Sequence, residues 1–350
     1  MKLSDFFYDL PADRIAQQPL EQRDHSKLMV LSRQAQTIEH CHFFDLPNYL
    51  QSGDVLVLNE TKVFPARLRG QKKSGGKVEV LLLQPQKNPK QWTALVRGAT
   101  KPSELQFPEQ WTATMTDRQT NGEWLLSFSN DGLEDYLDIH GEMPLPPYIR
   151  KGHAEQPDRM HYQTVFAKEL GAVAAPTAGF HFTDLLIDRL KEKGVQIETI
   201  TLHVGWGTFR PIRSEHVEDH PMLPEFCKVA KPTAERLTQA KKEGRRVIAV
   251  GTTVTRTLET ISEKKEEQIL FHPFEGQATL FIYPGYSFKA LDGLITNFHL
   301  PDSTPLVLAC AFYSMGRKTS KDPFSLREAY LSAIQSAYRF YSYGDAMMIL

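Results

Sequence analysis

The sequence predicts a layered α/β protein carrying an inserted small β-barrel, and three observations lead there. Apolar runs short enough to be core strands alternate with helical stretches from Asp184 to Tyr338, the pattern of a sheet covered by helices. From Val63 to Tyr148 that alternation gives way to short β-rich runs closed by turn residues, the texture of a small barrel. Pro144, Pro146 and Pro147 then make a stiff exit, so residues 63–148 form the expected insert and residues 1–62 with 149–350 the discontinuous α/β domain.

The elements follow in order. Asp54–Asn59 is a strand, and the insert contributes strands over Val63–Arg69, Lys77–Gln84, Gln91–Arg97, Trp111–Thr116 and Glu123–Phe128. Gly75-Gly76, Asn88-Pro89 and Asn121-Gly122 supply turns between them. Thr183 is the expected N-cap and Gly194 the stop of a helix over Asp184–Lys193. Strands are expected at Val195–His203, Arg246–Val250, Leu280–Tyr283 and Leu291–Phe298. Helices are expected at Thr233–Glu243, Thr252–Glu263, Ser303–Tyr313 and Ser325–Tyr338.

Composition narrows the class. At 350 residues the chain can bury a full core, and 41 basic against 42 acidic side chains leave a formal charge of −1. A polyanion partner must therefore meet a local basic patch. Three cysteines without a paired CxxC argue against a disulfide framework or structural zinc and for a reducing, cytoplasmic setting. No run approaches the ~18 apolar residues of a membrane span, and the first residues lack a signal-like apolar segment.

Candidate chemistry gathers where strands are expected to end. His181, His203 and His299 each lie among small and polar residues beside such an end, the edge where α/β proteins bind ligands. Thr177, Gly179 and the residues up to Thr183 precede a helix, whose first amides favour an anion. At Gly251-Thr252-Thr253 a strand ends in Gly, two hydroxyls follow, and Arg256 comes one helical turn along, which makes an oxyanion cradle. A capped helix with a solvent-facing arginine is the plainer alternative. Gly205-Trp206-Gly207-Thr208-Phe209 is not a dinucleotide fingerprint, because Arg210 and Pro211 prevent an immediate helix. Its glycines instead permit close approach of a ligand, with aromatic faces beside it. His220 and Glu225 lie on a proline-stiffened loop, where an imidazole supplies a base near neutrality. His40 and His42 share a strand face but have no third ligand nearby in the sequence, so no metal site is assigned. Arg67, Arg69, Lys72, Lys73 and Lys77 surround the Gly75-Gly76 turn, either as a phosphate-binding hairpin or as a solvated edge.

Together these segments resemble the S-adenosylmethionine:tRNA ribosyltransferase-isomerase family of queuosine biosynthesis. The markers run from Asp9-Leu10-Pro11 through Pro65-Ala66-Arg67-Leu68, Pro144-Leu145-Pro146-Pro147-Tyr148-Ile149, Gly171–Thr183, Thr201–Phe209, Gly251-Thr252-Thr253 and Thr296–Ser303 to Tyr341–Met347. The resemblance implies transfer of the ribosyl part of S-adenosylmethionine onto 7-aminomethyl-7-deazaguanine at the wobble position of tRNA. Rearrangement to epoxyqueuosine follows, with release of adenine and methionine. S-adenosylmethionine is then a consumed cosubstrate, no resident cofactor or metal is implied, and the partners are that tRNA and S-adenosylmethionine, with no membrane and a monomeric chain. In this scheme His181, His203, His220 and Glu225 contain the proton-transfer groups. Trp206 or Phe209 faces the sulfonium through cation–π attraction. Thr252, Thr253 and Arg256 take the methionine carboxylate; Thr177, Gly179, Gly205, Gly207 and Thr208 complete the cosubstrate site, and Asn297 and His299 contact base or ribose. Two departures stand out: Leu223 occupies a position where the family pattern carries a second histidine, and Asn59-Glu60-Thr61-Lys62 replaces Asn-Asp-Thr-Arg. A non-catalytic RNA-binding paralogue and a metal-dependent hydrolase are the competing readings.

Overall fold

The computed structural model describes residues 1–316 and 323–350, apart from the side chain of Phe209. The described chain divides into two compact units. One comprises Met1–Thr61, Gln163–Glu169 and Pro176–Leu350; the other comprises Lys62–Tyr162 and Leu170–Ala175. The second unit thus takes in residues 149–162 and 170–175, beyond the proline exit at which the sequence reading placed its end.

The first unit is built on a nine-stranded sheet. Its strands are β1 (Lys27–Leu31), β2 (Ile38–His42), β3 (Val55–Asn59), β4 (Gln196–Leu202), β5 (Glu225–Val229), β6 (Val247–Val250), β7 (Phe274–Ala278), β8 (Gly293–Asn297) and β9 (Ala346–Ile349), in the spatial order 7-5-4-3-6-8-9-1-2. The central strands β4, β3, β6 and β8 are mutually parallel, so their carboxyl ends share one edge. Alternation along the strands divides the core in two. Val55, Val57, Val247, Ala249 and Leu294 face one apolar cluster, while Leu56, Leu58, Ile248, Val250 and Ile295 face the other. Helix α1 (Asp184–Glu192) covers the second face through Leu186, Ile187 and Leu190. Helices α2 (Lys231–Lys242), α3 (Thr252–Ile261), α4 (Thr304–Tyr313) and α5 (Arg327–Gln335) cover the first. A parallel sheet with both faces covered reads in sequence as nearly continuous apolar runs, which is why β3 and β6 were legible.

Helix α3 is buried from Thr253 to Glu259 although its sequence is rich in threonine. Burial is tolerated because the hydroxyls bond back one turn: Thr255 to Gly251 O at 3.1 Å, Thr257 to Thr253 O at 3.0 Å and Thr260 to Arg256 O at 2.7 Å.

The second unit contains a closed six-stranded barrel in which Trp124–Phe128, Gln91–Arg97, Lys77–Pro85, Arg67–Lys72, Ser103–Gln106 and Thr112–Arg118 follow one another. Leu68, Val80, Leu82, Ala94, Leu105, Met115 and Leu126 are buried in it. Closure removes the exposed strand edges that a small open sheet would carry. The short Ser103–Gln106 strand and the Leu133–His140 helix were not anticipated, and the first barrel strand starts at Arg67 rather than Val63.

One expected strand is absent. Residues 280–283 form no ladder; the strand lies earlier, at β7, and the carbonyls of Ala278 and Leu280 are taken by the Arg256 guanidinium. The apolar run Leu280–Tyr283 records burial of Ile282 and packing of its neighbours against the core, and burial alone does not distinguish a strand from a loop.

Candidate active site

The edge formed by the carboxyl ends of β3, β4, β6 and β8 gathers most of the residues singled out from the sequence. Asn59 ends β3, and its side chain straps β4 by donating to Leu202 O at 2.9 Å and accepting from Leu202 N at 3.0 Å. Beyond β6, Gly251 holds φ +96°, ψ 153°, a conformation essentially confined to glycine, and so turns the chain directly into α3. A Cβ built on Gly251 would stand 3.6 Å from Ala178 Cβ, which places the Thr177–Gly179 turn against the start of α3. Thr177 donates to Asn297 Oδ1 at 3.0 Å, tying the same turn to the end of β8.

Glu225, at the start of β5, is the hub of the other half of the site. Its carboxylate accepts from the Gly205 amide at 3.0 Å and from the Thr208 hydroxyl at 3.1 Å, and it forms a buried ion pair with Arg256. Arg256 also donates to Leu280 O at 3.0 Å and Ala278 O at 3.2 Å. It is therefore no free clamp: its fork is largely committed to the fold, because a guanidinium only 5% exposed must be paired. It nonetheless lines a pocket with Thr208, Met222, Thr252, Thr253 and Phe281. That pocket is small, about 20 Å³, and lies where α3 and α4 both begin, lined by four threonines together with apolar side chains.

The histidines separate into distinct environments. His181 is 3% exposed and engaged at both ring nitrogens, Nδ1 with Ser26 Oγ at 2.7 Å and Nε2 with Asn297 Nδ2 at 3.1 Å. Since Thr177 donates to Asn297 Oδ1, the Asn297 amide donates to Nε2, and Nδ1 carries the proton toward Ser26. Burial, reinforced by Arg339 and Arg23, pushes the ring down to about 3. With both ring nitrogens engaged, His181 is a neutral ring that orients Asn297.

His203 is half-buried, stacked on Phe226, with Nδ1 2.8 Å from Thr61 Oγ1. The Thr61 hydroxyl donates to Glu169 O at 3.4 Å, so it accepts from Nδ1–H and leaves the Nε2 lone pair available. Desolvation keeps this ring below its ordinary pKa, hence neutral near pH 7. His220 packs edge-on to Phe281, a wall of the pocket, and burial together with Arg210 lowers its pKa as well. His299 bonds Thr296 Oγ1 at 2.8 Å and is desolvated to about 3, while its backbone N–H donates to Tyr330 and its carbonyl accepts from Tyr8. It reads as an anchored corner after β8.

Three further expectations change. A Cβ on Gly207 would lie 2.8 Å from Leu223 Cδ1, so the bare face of Gly207 is filled by Leu223 instead of being open to a ligand. Gly179 is likewise packed, its would-be Cβ 2.7 Å from Phe166 and 2.8 Å from Thr164. Arg210 stands over the Trp206 ring, 5.9 Å from its centroid, so a sulfonium on that face would meet a guanidinium; the side chain of Phe209 lies outside the described residues.

In the barrel unit, Arg67 is buried and its guanidinium donates to Gly152 O and Leu145 O, which removes it from the proposed phosphate contacts. Arg69 pairs with Glu79 at 3.0 Å and Glu142 at 2.9 Å, and Lys73 with Glu104 at 3.4 Å. The basic run lacks acids in sequence but meets them across the strands. Sequence spacing cannot show that, because antiparallel pairing joins residues far apart along the chain. His40 and His42 are engaged by Tyr338 and Phe44, and no metal-ligand cluster occurs among the described residues.

Fold and site together define an α/β protein whose candidate site lies at the carboxyl edge of the parallel strands of its central sheet, with a β-barrel in its second unit. Within that class, the chain belongs to the family described as queuosine biosynthesis protein, whose model matches residues 3–349. It is 48% identical over the whole of both chains to the S-adenosylmethionine:tRNA ribosyltransferase-isomerase of Staphylococcus haemolyticus. It is 47% identical, again over both full lengths, to that of Caldanaerobacter subterraneus subsp. tengcongensis. Among solved structures it is similar to the S-adenosylmethionine tRNA ribosyltransferase of Thermotoga maritima, with 38% identity, TM-score 0.55, and coverage of 99% of this chain and 100% of that one. No helix among the described residues is long and apolar enough to cross a membrane.

Proposed function

We infer that this chain is an S-adenosylmethionine:tRNA ribosyltransferase-isomerase, moving the ribosyl moiety onto 7-aminomethyl-7-deazaguanine at the wobble position and releasing adenine and methionine. Full-length membership of the family carries this reading, and the cradle at the start of α3 supports it. The methionine carboxylate rests on the first amides and hydroxyls of α3, Thr252 and Thr253, with Arg256 at the pocket wall, and the methylenes of the methionine chain lie against Met222 and Phe281. A pocket of about 20 Å³ admits this only if the segments bearing Thr208 and Met222 part.

The sulfonium acidifies the adjacent C5′ hydrogen. His203, neutral and with Nε2 free, is the base that removes it; His220, also neutral at rest, is the second proton carrier, relaying the proton gained by His203 to the departing adenine. Glu225 and Arg256 hold the Gly205–Thr208 turn, and His181 with Thr177 holds Asn297 toward base or ribose. S-adenosylmethionine is consumed in this scheme, and the tRNA meets exposed cations of the barrel. The scheme calls on no resident cofactor. His181, His203 and His299 each sit in a separate hydrogen-bond network, which favours it over a metal-dependent hydrolase.

The test is incubation with S-adenosylmethionine and tRNA carrying the aminomethyl base, reading free adenine and the mass of the digested nucleoside. Adenine release with a matching gain in nucleoside mass is expected. Release no greater than in a tRNA-free control would overturn the reading and leave the non-catalytic RNA-binding alternative.

A further inference from the structure

The barrel unit carries a groove of about 850 Å³ at the root of the Gly75-Gly76 hairpin. Its walls carry Arg69, Lys77, Arg97 and Lys151, with Glu79 as the single carboxylate in the lining. Arg69 is neutralised by Glu79 and Glu142, but Lys77 and Lys151 make no ion pair among the described residues, and Arg97, 81% exposed, reaches Glu79 only at 3.9 Å. A Cβ on Gly70 would sit 2.4 Å from Gln106 O and 2.7 Å from the Phe107 ring, and one on Gly98 2.4 Å from Lys77 O, so strand packing demands glycine at both positions, and Val78, Phe107 and Pro108 add apolar lining to the groove. Lys151 is presented from a backbone that side chains rarely adopt: Arg150, Lys151 and Gly152 take φ of +43°, +54° and +79° in succession.

The sequence alone points to RNA contact through the whole basic run Arg67, Arg69, Lys72, Lys73 and Lys77 around the hairpin. At its tip Lys73 is paired with Glu104, and the stem of Lys72 folds over Gly76, whose would-be Cβ lies 2.7 Å from Lys72 Cε. Lys72 at the tip and Lys77 and Lys151 at the root make no ion pair among the described residues, and only at the root do such cations line a groove. We propose that this groove, through Lys77, Arg97 and Lys151, holds the sugar-phosphate backbone of the RNA substrate. The proposal rests on the tRNA reading above and assigns its contact surface. A volume of this size takes more than one phosphate, and walls carrying several cations and a single carboxylate suit a polyanion recognised by charge rather than by base.

The experiment measures binding of tRNA carrying the aminomethyl base by fluorescence anisotropy across a potassium chloride series, for the native chain, the Arg97→Ala/Lys151→Ala pair and the Lys72→Ala/Lys73→Ala pair. Adenine release and melting temperature are read on the same preparations. Both groove side chains are exposed, so the melting temperature should hold. Loss of two phosphate contacts should lower the log–log salt slope by roughly 1.4–1.8, against less than about half a unit for the tip pair. A groove pair whose slope stays within about half a unit of the native chain, or a tip pair that falls as far as the groove pair, overturns the proposal. If the native chain binds the tRNA yet releases no adenine, the catalytic reading fails while the slopes still judge the groove.

Discussion

Replacing Arg256 with Met tests the ion pair on which the site is built. Arg256 and Glu225 are each 5% exposed, so the substitution leaves a carboxylate buried without its counter-charge. Breaking a buried pair from one side costs about 3–5 kcal/mol, because the desolvation of the remaining ion is no longer offset. The lost bonds to the Leu280 and Ala278 carbonyls are part of that figure, since those acceptors too are left short of a donor. At roughly 2–4 °C per kcal/mol for a unit of this size, the melting temperature falls by about 6–20 °C. Glu225→Gln on the Arg256→Met background removes the stranded charge, keeps a side chain able to bond Gly205 and Thr208, and should recover more than half of the loss. The assay is a double-mutant cycle by urea and thermal unfolding followed by circular dichroism, with adenine release measured on each variant. A single-variant loss below about 1 kcal/mol, or no recovery in the double variant, would refute the argument that a buried charge pair anchors the Gly205–Thr208 turn.

Other expectations follow from the same geometry. Because the folded pKa of His181 lies near 3, below its ordinary value of 6.5, its contribution to stability is complete above about pH 6.5 and is lost as the pH falls toward 3. At pH 5 the penalty is about 2 kcal/mol, and His181→Gln should flatten that part of the profile; equal pH dependence in both proteins would exclude His181 as the cause. Gly251→Ala places a side chain at φ +96° and should cost about 1–3 kcal/mol while raising KM for S-adenosylmethionine; an unchanged melting curve would contradict the strain. Thr183→Ala removes the oxygen that accepts from Leu186 N at 3.1 Å and should cost about 1 kcal/mol, with faster amide exchange in the first turn of α1. Serine at that position should keep protection, and if it behaves like alanine the capping account is wrong.

Much of the architecture was legible where local chemistry and tertiary demand agree. The buried runs at β3 and β6, the cap at Thr183 and the stop at Gly194, with φ +87°, are local statements, and each element falls within a few residues of its expected place. Residues 280–283 show where agreement ends: the apolar run is real, but the ladder formed at Phe274–Ala278 and a guanidinium from α3 took the neighbouring carbonyls. Within the site, the strand-end argument reaches the segments of Thr177, Thr252 and Asn297, whereas Glu225, expected on a proline-stiffened loop, comes to the same edge because its strand starts there and runs antiparallel to β4. Loss of Arg67 to a buried structural role could have been suspected only from the acids that the barrel brings beside it. Arg97 and Lys151 gave no motif at all; they became neighbours through strand pairing and a left-handed turn.

Order along the chain carries chemical kind: which residues can cap, bend, bond or take a proton, and in what succession a sheet, a barrel and its turns arise. Protonation and availability belong to the folded state. His181 and His203 are the same residue type in similar strand-end settings, yet one is sealed with both nitrogens engaged and the other keeps Nε2 open. The reason is that desolvation and hydrogen-bond partnership depend on atoms brought from remote positions, Ser26, Asn297 and Thr61 among them, and these are fixed only when the sheet closes.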